Sequence, residues 1–391
     1  MSFDLQRARQ ETPGCNNVLH FNNAGAALMP QPVLDATIEH LQLEATIGGY
    51  EAAAQAQAKV ERVYEAAATL IQCHPAEIAI IENATRAWDM AFYSLKFGPG
   101  DRILTAVAEY ASNYIALLQM AHQTGAMIET IPNDEQGQLS VEALRNMLDE
   151  RVKLIAITHV PTNGGLVNPA AAVGAIAREA GVFYLLDACQ ALGQLPIDVN
   201  AIGCDFLSAT GRKYLRGPRG TGLLYVRRDL IEQLEPPFLD LHAAEWVASE
   251  RYELRPDARR FENWETNYAG KIGLGVAIDY ALAWGLDNTW QRIATLAESL
   301  RAQLTELPGV TVQDLGQERC GIVTFTAASL SPEAIKQALT AYNINVSVSP
   351  LVYTRLDMQA RGLNNLVRAS VHYYNSEAEV QQFCETLAEI L

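Results

Sequence analysis

Short apolar runs that alternate with helical patterns set the strongest limit on what this chain can fold into. Between residues 77 and 226 the sequence contains the runs EIAII, GDRILTAV, VKLIAITHV, VFYLLDA, CDFLSAT and GLLYV, and each of the first three is followed by a helix-like segment. Runs of this kind, rich in Val, Ile, Leu and Tyr, are typical of buried parallel strands. The order predicts an α/β sheet with helices on both faces, in which ligands bind at the carboxyl ends of the strands.

The pattern changes after about residue 270. Helical segments there alternate with the strand-like runs GVTVQ, GIVTFTA and VRASVHYY. The segments SPEAIKQALTAYN and SEAEVQQFCETLAEIL each open with a serine cap and a nearby acid, which indicates two helix starts. We therefore predict a large α/β domain over residues 16–270 and a smaller α+β domain over residues 271–391 together with residues 1–15.

Composition excludes several classes of protein. The formal net charge of the 391 residues is -16, which argues against a nucleic-acid or anionic-membrane partner. The six cysteines are scattered without a C-x-x-C pair, so we predict neither a metal site nor a disulfide framework. The N-terminal segment has no signal-peptide core and no run of 18 apolar residues occurs, so we expect a soluble cytoplasmic protein.

Polar side chains follow three of the predicted strands. YLLDACQ ends with Asp187 and Gln190, and burying such an acid is costly without a cationic partner, although a helix cap is an alternative. LSATGRKYLRGPRGTG places Lys213 after the next strand, with Thr210 and Arg212 beside it. These groups would meet at one edge of the sheet.

A third strand is followed by a predicted helix start. The segment IENATRAW opens a helix at Ala84, Thr85 and Arg86. A helix N-terminus supplies backbone N–H groups and a dipole suited to a phosphate, while a simple cap at Thr85 is the alternative. Pyridoxal phosphate needs a lysine that holds it covalently, an acid at its ring nitrogen and a site for its phosphate. The three strand ends together therefore indicate this cofactor.

At this point the sequence resembles the class V aminotransferases, the fold type I pyridoxal phosphate enzymes that include cysteine desulfurases, selenocysteine lyases and C–S lyases. The matching segments occur in family order: HFNNAGAALMP, ENATRAW, AEYASN, THVPTNGGLVNP, DACQALGQLPIDV, SATGRKYLRGPRGTGLLY and VRASVHYYNSEAEV. The resemblance implies a large domain with a mainly parallel seven-stranded sheet and a smaller C-terminal α+β domain. It also implies a homodimer that acts on a small amino acid.

The resemblance assigns roles to individual residues. Lys213 matches the lysine that holds the cofactor and moves the Cα proton, and Asp187 matches the acid at the ring nitrogen. Gln190 matches the partner of the phenolic oxygen, and Arg368 matches the residue that pairs with the substrate carboxylate. The remaining cofactor contacts that it implies are Ala84, Thr85, Arg86, Thr210 and Arg212, and Ala24 and Gly25 lie on the substrate loop.

Four positions depart from the family pattern. Tyr110 stands where a stacking histidine is usual, and its ring would stack on the cofactor while its hydroxyl assists proton transfer. Arg212 also replaces a histidine. Thr162 occupies the usual asparagine position with Asn163 beside it, so Thr162 is assigned to the cofactor and Asn163 to the substrate, although either one could face the cofactor. In FENWETNYAG the phosphate contact of a partner subunit falls on Glu265, with Thr266 as the candidate.

A missing thiol separates this chain from desulfurases, which carry a catalytic cysteine on a loop before the terminal arginine motif. The sequence has no cysteine between Cys320 and Cys384. Cys189 follows Asp187 and is interpreted as a small buried residue rather than a contact of the substrate sulfur. Persulfide transfer needs a thiolate nucleophile. We therefore predict β-elimination from a cysteine derivative to pyruvate and ammonia, as in the hercynylcysteine sulfoxide lyase-like branch.

Two other functions are considered. The same lysine would also serve an aminotransferase or an amino-acid epimerase, because the surrounding pocket selects the reaction. A nucleotide-binding protein would have to use GPRGTG as its phosphate loop, but that run lacks the G-K-[ST] signature and precedes a strand instead of following one.

Overall fold

The computed structural model describes residues 3–391 of the chain. Its strands, numbered in chain order, are β1 (Leu19–His20), β2 (Ile78–Ile81), β3 (Arg102–Ala106), β4 (Met127–Ile131), β5 (Val152–Thr158), β6 (Phe183–Asp187), β7 (Phe206–Thr210), β8 (Gly222–Val226), β9 (Ala244–Ala248), β10 (Arg251–Leu254), β11 (Val310–Val312), β12 (Ile322–Ala327), β13 (Ile344–Asn345), β14 (Ser347–Pro350) and β15 (Asn365–Ser370).

The α-helices of the same residues are α1 (Leu5–Gln10), α2 (Gln31–Ile47), α3 (Gly49–Gln55), α4 (Gln57–Ile71), α5 (Ala84–Phe92), α6 (Ala111–Thr124), α7 (Val141–Met147), α8 (Ala170–Ala180), α9 (Val199–Ile202), α10 (Tyr268–Trp284), α11 (Leu286–Thr305), α12 (Pro332–Ala341), α13 (Arg355–Ala360) and α14 (Glu377–Ile390). None of these helices is long and apolar enough to cross a membrane.

A seven-stranded sheet in the order β2-β8-β7-β6-β5-β3-β4 forms the centre of the molecule. Neighbouring residues of a strand pack in different hydrophobic clusters on the two faces of the sheet: Leu186 lies in one cluster and Leu185 in the other. Both faces of the sheet are therefore buried, as the continuous apolar runs predicted. The mostly parallel α/β architecture is confirmed.

The direction of one strand of this sheet differs from the prediction. β8 pairs antiparallel with both β7 and β2, whereas the GLLYV run was predicted to be parallel. The connection from β7 to β8 spans only residues 211–221 and contains no helix. Because a parallel partner requires a crossover of a dozen or more residues, this short turn permits only an antiparallel return.

A second, antiparallel sheet in the order β11-β12-β15-β14 lies in the C-terminal part of the chain, and helices α11, α12 and α14 pack near it. Ser376 caps α14 in a reciprocal capping box with Glu379, and Ser331 caps α12, as predicted. Leu19 of β1 pairs with Ile344 of β13, so the N-terminal segment joins this region. The domain boundary at residue 270 stays a prediction, since α10 beyond it packs on α2 and α4.

Candidate active site

The carboxyl ends of three parallel strands bring the first group of predicted residues together. Asp187 ends β6 and lies in register with Thr158 of β5 and Ser208 of β7. Its side chain is buried and accepts hydrogen bonds from the Cys189 N–H and from Asn113 Nδ2, both at 2.8 Å. Asp187 forms no ion pair within residues 3–391, and a carboxylate buried without a cationic partner is costly.

Lys213 lies in the tight turn that follows β7. The N–H of Arg216 bonds to the carbonyl of Lys213 at 2.9 Å, and Arg216 has a positive φ of 60°. The Lys213 side chain is partly exposed, and in the described part of the chain its amine makes no hydrogen bond or ion pair. Burial lowers the pKa of this amine below its ordinary value. A larger neutral fraction makes the amine a better nucleophile toward a carbonyl group.

The predicted phosphate end of the site lies at the start of α5. Asn83, not Thr85, caps this helix, because the Asn83 side-chain oxygen accepts the Arg86 N–H at 2.9 Å. Thr85 is exposed, and its side chain has no capping role. Gly222 of β8 lies directly against the same helix start, because a Cβ there would be 2.8 Å from the carbonyl carbon of Asn83. Thr210 ends β7 opposite Gly222, with its hydroxyl 3.3 Å from the Thr221 carbonyl.

The Arg86 side chain, predicted to contact the cofactor, is held by other residues instead. Its guanidinium lies over the Phe238 ring at 4.3 Å and within 3.8 Å of Glu82, so it is engaged away from the N–H groups at the helix start. Thr266 and Glu265 line a cavity of about 350 Å³ together with Gly220. That cavity is adjacent to the turn between β7 and β8, which places the FENWETN segment beside the predicted phosphate end.

The predicted substrate loop is held by contacts from three elements. The carbonyl of Ala24 accepts a hydrogen bond from Gln190 Nε2 at 3.1 Å, and the Ala24 N–H donates to Ser370 Oγ at 2.9 Å. Arg212 Nη1 donates to the carbonyl of Gly25. A side chain at Gly25 would displace the Asn22 amide, since a Cβ there would be 2.5 Å from Asn22 Oδ1. Arg212, predicted as a phosphate contact, is therefore bound to the substrate loop.

Arg368 and Thr162 come together across the two parts of the molecule. Arg368 Nη1 donates to the hydroxyl and the carbonyl of Thr162, and Arg368 Nε is buried without a partner. The Asn163 amide is held by other residues: its Nδ2 donates to Thr354 Oγ1 at 2.9 Å, and its Oδ1 accepts from Ser349 Oγ. Of the two neighbouring residues, Thr162 is therefore the one that reaches the arginine.

Tyr110 lies at the N-terminus of α6 with its side chain partly exposed. Its ring centroid is 6.5 Å from that of Tyr353. Burial raises the pKa of the Tyr110 hydroxyl, so the group stays protonated at neutral pH. Burial, reinforced by the Asp187 carboxylate, also raises the pKa of the Cys189 thiol. Cys189 is therefore a thiol rather than a thiolate.

The unsatisfied groups of this region fit pyridoxal phosphate. The free Lys213 amine suits its aldehyde, and the start of α5 with Thr210 suits its phosphate. The buried atoms Ser208 Oγ and Gln190 Oε1 have no partner within residues 3–391. A second N–H of the Gln190 amide is free for the phenolic oxygen.

Sequence reasoning did not single out Glu109, Asn113 or Gly222. Glu109 and Asn113 are four residues apart and lie at the end of β3 and the start of α6, a spacing that brings side chains together at a helix start. That spacing was the available signal. Gly222 carries no such signal, because its role depends on a helix that lies far away in the sequence.

Comparison with known proteins places the chain in a family. The model of the aminotransferase class V family matches residues 19–383. A cysteine desulfurase of Cronobacter sakazakii is 30% identical and is covered over 99% of its length by the whole chain. The apo structure of cysteine desulfurase from Thermococcus onnurineus NA1 superposes with a TM-score of 0.93 at 28% identity, covering 100% of this chain and 98% of that one.

C-DES is a further structural neighbour. A structure in which glycine is covalently linked to its pyridoxal phosphate cofactor has a TM-score of 0.88 and 25% identity, and the match covers 97% of this chain and 99% of that one. A complex of this cystine C–S lyase with cysteine persulfide, its reaction product, shows the same fold at 24% identity with a TM-score of 0.86, over 97% of this chain and 99% of that one. The chain therefore belongs to the class V aminotransferase family, and its cofactor is pyridoxal phosphate.

Proposed function

We propose that the chain is a lyase that cleaves the Cβ–S or Cβ–Se bond of a cysteine-derived amino acid by β-elimination, releasing pyruvate and ammonia. The observation that carries the proposal is the segment of residues 343–367, which comprises β13, β14, α13 and the start of β15 and contains no cysteine. Tyr353 of this segment lies near Tyr110, with their ring centroids 6.5 Å apart. The desulfurase relatives act on cysteine by name, which supports a sulfur amino acid as substrate.

Cys189 does not replace the missing thiol in this proposal. Burial and the neighbouring Asp187 carboxylate raise the pKa of its thiol, although Lys213 acts in the opposite direction. A thiol nucleophile reacts as the thiolate, so a raised pKa reduces its reactivity. The transfer of sulfur to the enzyme therefore lacks a competent acceptor at this position.

Each remaining step has a group on this chain to perform it. When bound, pyridoxal phosphate accepts the electrons released at Cα. Lys213 Nζ removes the Cα proton, Asp187 holds a proton at the ring nitrogen, and Arg368 binds the α-carboxylate with its guanidinium. The Cβ–S bond then breaks with its electron pair remaining on sulfur. The released 2-aminoacrylate is hydrolysed by water to pyruvate and ammonia.

The phosphate would be held at the start of α5 by the backbone N–H groups of Ala84 and Thr85 and by the Thr85 and Thr210 hydroxyls. Arg212 would remain on the substrate loop in this arrangement. We also propose a homodimer, because Tyr50 and Trp264 are 75% and 49% exposed and line one surface cavity together with Thr266. Sedimentation of the holoenzyme measures this directly.

Product analysis tests the proposed reaction. The purified protein is incubated separately with cystine, a cysteine S-oxide and free cysteine, and pyruvate, ammonia and alanine are quantified. We expect equal amounts of pyruvate and ammonia from the first two substrates. Free cysteine should react more slowly, because its sulfur is a poorer leaving group.

Two variants serve as controls. Lys213→Ala should abolish both products, while Cys189→Ala should retain elimination activity because that thiol is not the sulfur acceptor. Stoichiometric alanine together with an enzyme-bound persulfide, lost in Cys189→Ala, would refute the lyase assignment. Glutamate formed from an added keto acid without sulfur release would instead identify an aminotransferase.

A further inference from the structure

A second buried acid lies behind Asp187 and has no part in the mechanism described above. Glu109 follows β3 and is 4% exposed. Its two oxygens accept backbone N–H groups from opposite sides, Oε1 from Tyr110 and Oε2 from Thr158, both at 3.0 Å. The hydroxyls of Thr158 and Thr105 also donate to the Glu109 carboxylate, at 2.6 and 3.2 Å, and with the two N–H groups they form a shell of donors. A carboxylate fits this shell because both of its oxygens are acceptors.

One amide connects Glu109 to Asp187. Asn113 Nδ2 lies 2.8 Å from Glu109 Oε1 and 2.8 Å from Asp187 Oδ2, so each of its two hydrogens is donated to a different acid. Asn113 is itself 3% exposed and stands in the first turn of α6. Glu109 therefore holds the Asn113 amide in place, and rotation of the Asp187 carboxyl would break the hydrogen bond from this amide to Asp187 Oδ2.

The charges of this pair are not balanced within residues 3–391. Neither Glu109 nor Asp187 forms an ion pair there. Burial raises the pKa of Glu109 to about 7, and Asp187 adds to that effect. A protonated ring nitrogen held at Asp187 would bring a positive charge to both acids, which lowers the cost of keeping them ionised.

We propose that Glu109 is a positioning residue for the cofactor ring: through Asn113 it fixes the orientation of the Asp187 carboxyl, and its negative charge favours the protonated ring nitrogen. The inference rests on the cofactor assignment and on the proposed place of Asp187 at that nitrogen. It is independent of whether the reaction is an elimination.

Competition between two ligands tests this inference. The protein is equilibrated with a mixture of pyridoxal phosphate and its analogue in which CH replaces the ring nitrogen. Reduction with borohydride then fixes each ligand to the protein, and mass spectrometry gives the ratio bound. Both ligands carry the same aldehyde and phosphate, so a general disturbance of the site changes both affinities and cancels in the ratio.

We expect Glu109→Gln to lower the ratio of pyridoxal phosphate to analogue by about tenfold, since a neighbouring charge commonly shifts a pKa by about one unit. Asn113→Ala should lower the ratio in the same direction, and Glu109→Asp should restore part of it. Asp314→Asn removes a different buried carboxylate, the partner of Arg301, and should leave the ratio unchanged.

An unchanged ratio in Glu109→Gln and Asn113→Ala, with both ligands bound, would overturn the inference and leave Glu109 a structural residue. If Glu109→Gln does not fold, the Asn113→Ala ratio alone decides. Failure of the native protein to bind pyridoxal phosphate at all would instead refute the cofactor assignment, so the two failures are distinguishable.

Discussion

At the scale of single residues, the candidate site is marked by buried groups that lack a protein partner. Arg368 is 6% exposed, and only the neutral Thr162 accepts hydrogen bonds from it within the described residues. A buried cation without an anion is costly, and a substrate carboxylate would remove that cost. This uncompensated charge is why we propose Arg368 as the partner of the substrate carboxylate.

Replacing Arg368 tests this point. Arg368→Ala should lower kcat/KM for the cysteine derivative, because a charge-assisted pair is lost. We expect the loss of transition-state stabilisation to be about 2–5 kcal/mol. Arg368→Lys should restore little of it, since an ammonium cannot form the two-pronged contact. Steady-state kinetics measure both variants, with Arg319→Lys, at a partly exposed arginine, as a control. Full activity in Arg368→Lys would place Arg368 outside the substrate site.

The identities of most candidate residues could be predicted from sequence, but their orientations could not. Asp187 and Lys213 were singled out because Asp187 ends one apolar strand and Lys213 lies in the turn after the next. The choice between Thr162 and Asn163 depended on Ser349 and Thr354, which are nearly two hundred residues away in the sequence. Glu109 was missed because its one local signal, the four-residue spacing to Asn113, does not distinguish a buried acid from a solvated one.

At the scale of elements, the start of α5 depends on its fit against β8. Gly222 allows the strand to approach the helix start, and a methyl group there would collide with the backbone of Asn83. The sequence predicted both elements, but it did not reveal that β8 is antiparallel or that β4 is the edge strand next to β3. Those features follow from connection length and from long-range pairing rather than from local pattern.

Gly222→Ala should therefore displace the start of α5. We expect the free energy of unfolding to fall by about 1–3 kcal/mol, as for other overpacked sites, and pyridoxal phosphate to bind more weakly. Denaturant unfolding and cofactor titration measure the two effects. Gly49→Ala is the matched control, because a Cβ there meets no atom within 4 Å. Cofactor affinity equal to that of the native protein would exclude this helix start as the phosphate site.

At the scale of the whole molecule, Arg216 joins distant parts of the chain. Its fully buried guanidinium donates to the Leu28 carbonyl at 2.8 Å, to the Tyr373 hydroxyl at 2.6 Å and to the Thr12 hydroxyl. It also lies 4.6 Å from the Tyr374 ring centroid. The turn that carries Lys213 is thereby connected to both the N-terminal segment and the residues after β15.

Arg216→Ala should be strongly destabilising, because it leaves the buried hydroxyls of Tyr373 and Thr12 and the partly buried Leu28 carbonyl without their donor. At about 1–3 kcal/mol for each unsatisfied group, we expect a loss of roughly 3 kcal/mol or more in the free energy of unfolding. Arg219→Ala changes an exposed arginine three residues later and should stay within about 0.5 kcal/mol of the native protein. Similar unfolding midpoints for the two variants would contradict the role assigned to Arg216.

The contact between Ala24 and Ser370 has a consequence for the order of synthesis. The two residues are separated by 346 positions, yet the Ala24 N–H bonds to the Ser370 hydroxyl. At a translation rate of about 5–20 residues per second, the loop that contains Ala24 would wait roughly 20–70 s on the ribosome for its partner. A nascent chain therefore cannot make this contact before Ser370 has been synthesised, and a chain terminated before Ser370 would lack it.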